Sequence, residues 1–370
     1  MPIPRPFLTF LALCTTLPCA LSFLPASSEI RLTPLADIAG GPRQEHTVVY
    51  VEPDTIALIG GVVPDANAIL APFSSTDRVE LYSIASNTWR TVAPMPKPLN
   101  HPNAAAVEGK IYVLGGFDDG GTDREYLRAT NESWVYDPAI DIWSPIEPFP
   151  NAQGMATVEV WGSKIYVVGG FKELYLPKQM PLPRTSDAVS IYDTMTRKWT
   201  TDSLPEKAKH IPGGRDHVRS AIVESKMYII GGFHYGGYSQ TDTIFILDLK
   251  QPEAGWVTSP AKMPTPRASA AVAAQGKLIY VIGGEGNATS DAMFPTRVFD
   301  DVEVYDTVTD SWTRLEPISY ARHGGGVGAG GKLYIPGGAD RQPVGPIARF
   351  DAYIMDKKLQ GGKQWDRQEL

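Results

Sequence analysis

Ile111-Tyr112-Val113-Leu114-Gly115-Gly116, followed by a run ending at Tyr136-Asp137 and then by Trp143, is the stretch on which the fold turns. The residues before the glycines are β-branched, aliphatic and aromatic in a short run, the composition of a strand. The same order returns along the chain. Gly-Gly pairs begin at Gly60, Gly115, Gly169, Gly231, Gly283 and Gly337, at spacings of 55, 54, 62, 52 and 54 residues. The runs before the other pairs are Ile56–Ile59, Ile165–Val168, Met227–Ile230, Ile279–Ile282 and Leu333–Pro336. The later runs end at Tyr82-Ser83, Tyr192-Asp193, Leu247-Asp248, Tyr305-Asp306 and Met355-Asp356, and the tryptophans that follow are Trp89, Trp199, Trp256, Trp312 and Trp365. A period of about fifty residues with this internal order marks a repeat architecture.

No stretch beyond the N-terminus sustains a helical period, so each unit reads as one four-stranded antiparallel sheet. Such a sheet cannot bury both faces alone; six packed radially bury them against each other, with Trp and Tyr rings filling the wedges. These residues resemble the kelch-repeat family, over nearly all of the chain after residue 30. The resemblance implies an all-β fold, a six-bladed kelch β-propeller within the superfamily that includes galactose oxidase. Tyr82 followed by Ser83, Met355 in a tyrosine slot and Pro336 before the last glycines depart from the pattern. Closing the ring requires an outer strand for blade six, and both Ile30–Leu35 and Trp365–Leu370 read as that strand.

Arg5 followed by the apolar segment Phe7–Leu24 and small residues at Ala26, Ser27 and Ser28 reads as a secretory signal peptide. Residues 1–26 are assigned to it, with cleavage between Ala20 and Ser28, and residues 27–370 to the propeller. An uncleaved anchor is the alternative, opposed by Pro18. Both cysteines, Cys14 and Cys19, lie in this leader, so the mature chain is expected to hold no thiol or disulfide. Asn131-Glu132-Ser133 and Asn287-Ala288-Thr289 are glycosylation sequons. The net charge of −7 is scattered, with no basic stripe for nucleic acid. A secreted or lumenal monomer, off the membrane once cleaved, is expected.

In an up-and-down blade, the loops joining strand two to three and strand four to one share a face. The opposite face has minimal turns, such as Glu108-Gly109-Lys110 and Gln275-Gly276-Lys277. The two-to-three loops are long and varied: Phe117-Asp118-Asp119, Phe171-Lys172-Glu173, Phe233-His234-Tyr235 and Ala339-Asp340-Arg341. Recognition is expected there. Counting back 14 residues from each first glycine reaches His46, His101, Met155, His217, Ser269 and His323, and Arg43, Arg215, Arg267 and Arg322 lie beside them. A ring of His and Arg at the channel mouth could bind an anion or carboxylate, or hold a metal, although an Arg and a His here also belong to the ordinary kelch pattern. No metal is assigned, because neighbouring inner strands should hold their side chains too far apart, and no HxH or HExxH cluster is present. Phe117, Phe171 and Phe233 either pack over the blade tops or form an aromatic platform; Tyr175, Tyr235 and Tyr238 lie farther out. Asp77, Asn131, Asp187, Asp242 and Asp300 recur with the repeat and read as turn residues. Residues that break the repeat, Glu285, His234, Asp118, Asp340, Arg341 and Lys172, are further binding candidates.

Copper-radical chemistry of the galactose oxidase kind needs a tyrosine crosslinked to cysteine, which the mature chain lacks. Sialic-acid mutarotase, also of the six-repeat kind, implies cofactor-free proton transfer, for which Glu285 and Arg267 are the catalytic candidates. The chain also looks like short exported kelch proteins of filamentous fungi, some encoded beside polyketide genes. A small molecule or glycan bound on the loop face, without a cofactor, is the leading expectation, and a protein-interaction module is another alternative. BTB and BACK segments are not found.

Overall fold

The computed structural model describes residues 31–66, 73–119, 126–175, 185–234, 239–287, 297–342, 345–359 and 363–364. The leader, Tyr235, Tyr238 and Trp365–Leu370 therefore lie outside the described residues. Residues 31–370 form one unit. Among the described residues no helix is long and apolar enough to cross a membrane; helical structure is three short 3-10 turns, at Thr201–Ser203, Glu206–Ala208 and Pro252–Ala254.

Six antiparallel sheets form the propeller. Blade one runs Thr47–Val51, Thr55–Ile59, Val79–Ser83 and Thr88–Thr91 from the channel outward. Blade two begins at Ala104–Val107, blade three at Thr157–Trp161, blade four at Arg219–Val223, blade five at Ala271–Gln275 and blade six at Val327–Ala329. Buried aliphatic and aromatic side chains from the facing sheets of neighbouring blades form the core in the wedges between them.

The ring is closed from the N-terminus. Leu32–Pro34 pairs antiparallel with Phe350–Ile354 and is the outer strand of blade six. Lys363–Gln364 instead pairs with the outer strand of blade five, Ser311–Leu315. Lys363–Gln364 thus does not supply the outer strand of blade six.

The repeated residues are the joints between blades. Gly60 and Gly231 have φ of 59° and 61°, and a Cβ at either would lie 2.5 Å from the carbonyl oxygen of Leu99 or Arg267 in the next blade. Only glycine fits there. The second glycines of these two pairs donate their N–H to the same carbonyls, Gly61 to Leu99 at 2.8 Å and Gly232 to Arg267 at 3.0 Å. The tryptophans stitch the rim. Trp89 Nε1 donates to Ala36 O, Trp143 to Ala93, Trp199 to Glu147 and Trp256 to Ala208, at 2.8 to 3.2 Å, each reaching the chain that has just left the preceding blade.

Candidate functional site

The inner strands begin at the loop face. Just before each, a residue bridges to the position after the Gly-Gly pair: Gln44 to Val62, Asn100 to Phe117, Gly154 to Phe171, Asp216 to Phe233, Ala268 to Glu285 and His323 to Ala339. The next residue in each blade lies at the channel mouth with left-handed φ: Glu45 (54°), His101 (46°), Met155 (60°), His217 (49°), Ser269 (51°) and Gly324 (136°). A chain of backbone hydrogen bonds links them, from His101 N to Glu45 O, Met155 N to His101 O, His217 N to Met155 O, Ser269 N to His217 O and Gly324 N to Ser269 O. Because Met155 and Ser269 share the conformation, it belongs to the blade geometry and is not strain peculiar to a site.

This ring corrects the count made from the glycines. Blades two to five follow it, but blades one and six are each displaced by one residue. Blade one turns from Val51 to Thr55 through three residues, Glu52-Pro53-Asp54, where blade two turns through Glu108-Gly109 alone. The mouth position there is Glu45, and His46 points elsewhere. His46 is buried, its Nε2 2.9 Å from Pro336 O in blade six. Burial, helped by the charge of Arg43, pushes it down to about 3, so it is a neutral interblade pin.

Glu45, His101 and His217 converge, with ligand atoms all within 4.8 Å of one another. Glu45 Oε2 lies 2.7 Å from His101 Nε2, and the two imidazoles meet edge to face at 5.2 Å. His101 Nδ1 is 2.7 Å from Asn100 Oδ1, and His217 Nδ1 is 2.7 Å from Asp216 Oδ1. Phe117 and Phe233, both buried, stand edge-on behind the two rings; with Phe171 buried as well, these aromatics are packing and not a platform. Glu285 joins from blade five: Ser269 Oγ donates to its Oε1 at 2.6 Å, Gln342 Nε2 donates to its Oε2, and His323 Nε2 lies 4.0 Å from Oε2. Among the described residues the buried His323 has no hydrogen-bond partner at either ring nitrogen.

Burial opposes charge on His217, but the hydrogen bond and charge of Asp216, with Glu285 and Glu45, push it up to about 9. Burial lowers His101, against the pull of Glu45. Burial also works against the Glu45 carboxylate, which His101, His323 and His217 nevertheless hold well below the usual range. The charge on His217 makes an ionised Glu45 the state we stand behind, with His101 the neutral partner. The expectation that inner strands keep side chains too far apart for a metal is not met at this mouth.

Below lies a channel of about 380 Å³, lined by small residues such as Ala105, Ala273 and Gly328, with Thr47, Thr157, Glu159, Arg219 and Ser220 among its polar groups. Arg219 faces Glu45 and Glu285. Burial raises the Glu159 carboxyl to about 7, although Ser220 Oγ donates to it at 2.8 Å.

The arginines do not reach the mouth. Arg267 is fully buried against Glu303 at 2.6 Å and donates to Val281 O, and Arg322 pairs with Asp351 at 2.8 Å. Arg43 pairs with buried Glu80. Arg215 has Phe245 where the others have a carboxylate, and lies 4.9 Å over that ring while donating to Thr243 Oγ1. Arg267 is therefore not an acid or base beside Glu285. Asp118 pairs with Lys97 at 2.7 Å, Asp340 accepts from Tyr320 at 2.6 Å, and His234 Nδ1 contacts Gly214 O at 2.9 Å. Lys172 lines a separate cavity beside blade three, and Arg341 is exposed. Asn131 is exposed and Asn287 half-buried. Sequence reasoning missed Glu45, Asn100 and Asp216; their signal is adjacency to the histidines once the longer first turn is allowed for.

The KLHDC2/KLHL20/DRC7 Kelch-repeats domain matches residues 22–203 and 184–338. Kelch-like protein terF of Aspergillus terreus is 36% identical over 301 residues, covering 80% of this chain and 61% of that protein. Beta-scruin of Limulus polyphemus is 28% identical over 250 residues, 66% of this chain and 25% of that protein. Human Kelch repeat and BTB domain-containing protein 12 is 28% identical over 213 residues, 57% and 32%. The chain thus spans less than two thirds of the length of these curated relatives. Six blades of this topology, matched by that repeat domain over most of the sequence, make the chain a member of the kelch-repeat family.

Proposed function

We propose that this propeller binds a small polar molecule at the loop-face mouth of its central channel. The observation that carries this is the convergence of Glu45, His101, His217, Glu285 and His323 just ahead of the inner strands whose own residues line the central cavity. Polar groups gathered in a concavity on a rigid scaffold are the usual makings of a ligand site. Glu285 and His323 offer an acceptor and a buried imidazole with unused hydrogen-bonding capacity, and Arg219 adds a cation, which suits a hydroxylated or carboxylated ligand such as a sugar acid or phenolic metabolite. Export through the secretory pathway belongs to the same proposal, on the strength of the leader. So does accessory service in fungal secondary metabolism, which similarity to an Aspergillus protein supports.

A thermal-shift screen of sugars, small acids and phenolic metabolites tests it. A ligand at a hundred times its dissociation constant adds about 2.7 kcal/mol, enough to move the melting point visibly. The expected result is a hit that disappears in Glu285→Gln or Arg219→Ala. A flat screen, or a hit indifferent to both changes, would sink the proposal and turn attention to a protein partner on the outer loops. A catalytic version would keep Glu285 but take its partner from the mouth histidines, because Arg267 is enclosed in blade five.

A further inference from the structure

We propose that Glu45, His101 and His217 form a divalent transition-metal site of two imidazoles and one carboxylate at the head of the inner strands. The inference rests on the mouth being the working site, and its test uses metal alone, so its failure would leave the organic-ligand screen standing.

The first support is the way the imidazoles are held. Asn100 Nδ2 donates to Ser75 Oγ at 2.8 Å, which turns its Oδ1 toward His101. An amide oxygen and a carboxylate oxygen can only accept, so the Nδ1 of both histidines carries the proton. Each Nε2 is then the nitrogen turned to the mouth, and His217 must give up its second proton as a metal binds. Metal-bound histidines characteristically donate the other ring N–H to such an acceptor, which fixes the tautomer and the ring plane. Two blades provide this device separately, each from the residue just before its histidine.

The second support is an unused group at the same place. His101 Nε2 is buried without hydrogen-bond geometry despite its closeness to Glu45. His323 is buried with both ring nitrogens unpartnered and within the field of the Glu45 carboxylate. Orphaned buried nitrogens carry a desolvation cost that a cation and its bound water would remove.

Imidazole and carboxylate donors suit zinc, iron or cobalt, whereas magnesium and calcium prefer all-oxygen sets. Bond lengths of about 2.0–2.2 Å require the three donors to draw together slightly, which the Glu45 side chain can do by rotation. Three protein ligands leave positions for water or a ligand, as in catalytic sites rather than closed structural ones.

The purified protein, stripped with a chelator, would be titrated calorimetrically with Zn²⁺, and with Co²⁺ followed by visible absorption. One equivalent of Zn²⁺ and the d–d bands of a nitrogen- and oxygen-ligated Co²⁺ are expected, with no response to Mg²⁺. His101→Ala and His217→Ala should abolish both signals, and Asp216→Asn should weaken Zn²⁺ binding about 10–100-fold. His210→Ala, on the flank of blade three beside Asp187, should change nothing. Circular dichroism would check that each variant folds. No stoichiometric binding by the wild type, or binding that survives loss of both mouth histidines, would overturn the site; the wild-type titration decides even if a variant does not fold.

Discussion

At the scale of single residues, the buried arginines and the channel carboxyl are where charge and burial meet most sharply. Arg267→Ala strands Glu303 in the interior with only Arg314, at 3.1 Å, and Thr265 to answer it. Breaking a buried pair from one side costs about 3–5 kcal/mol when the remaining charge is uncompensated, and Arg314 holds the loss to the lower end of that range. Arg215→Ala leaves no such orphan, since its guanidinium rests on Phe245, and about 1–2 kcal/mol is expected from lost cation–π contact and packing. Urea unfolding at neutral pH should rank the two in that order; equal losses would contradict the assignment. Glu159 makes a pH prediction. Its folded value, about 7, lies above the ordinary carboxyl value. Its contribution is therefore fully present at low pH and is lost as pH rises from about 4.3 through about 7. Glu159→Gln should flatten that part of the stability profile and leave the variant more stable at pH 8, by on the order of 2 kcal/mol. A wild-type profile already flat there would refute it.

At the scale of elements, one strand and one turn decide more than their length suggests. Leu32–Pro34 covers the edge of Phe350–Ile354, and an uncovered edge offers unpaired backbone groups to other molecules. Removing residues 1–34 should lower the melting temperature and bring oligomers into size-exclusion profiles. Truncation after residue 359 takes away Lys363–Gln364 from blade five, leaves the closure of blade six intact, and should do neither. The turn Glu52-Pro53-Asp54 is the other case. One extra residue there moves Glu45 into the slot that His101 and His217 fill in their own blades. The histidine periodicity could be read from spacing, but its register could not, because a turn of two or three residues changes the count without disturbing the Gly-Gly and Trp landmarks.

At the scale of the molecule, the sheets meet as a ring and the mouth exists only because they do. The leader is the one prediction here that depends on the chain ahead of the propeller. Expression in a secreting fungal host should release a protein whose N-terminal sequence begins between residues 21 and 29; retention in the membrane fraction would instead support an anchor. The repeat itself was legible because its landmarks are local. A glycine is needed where the next blade's carbonyl passes within contact distance, as at Gly60 and Gly231, and in blades one to four a tryptophan reaches from the outer strand back to the preceding blade.

The sequence by itself determined the six blades, their inner and middle strands, and the placing of His101 and His217 at one repeat position, since each follows from short-range pattern and steric necessity. Tertiary structure alone decided that the N-terminal strand closes blade six, that the arginines turn inward to buried carboxylates or an aromatic ring, and that Glu45 meets two histidines from other blades. Those outcomes depend on groups far apart in sequence and brought together by ring closure. Strand periodicity carries no record of which side chains will face one another across a channel.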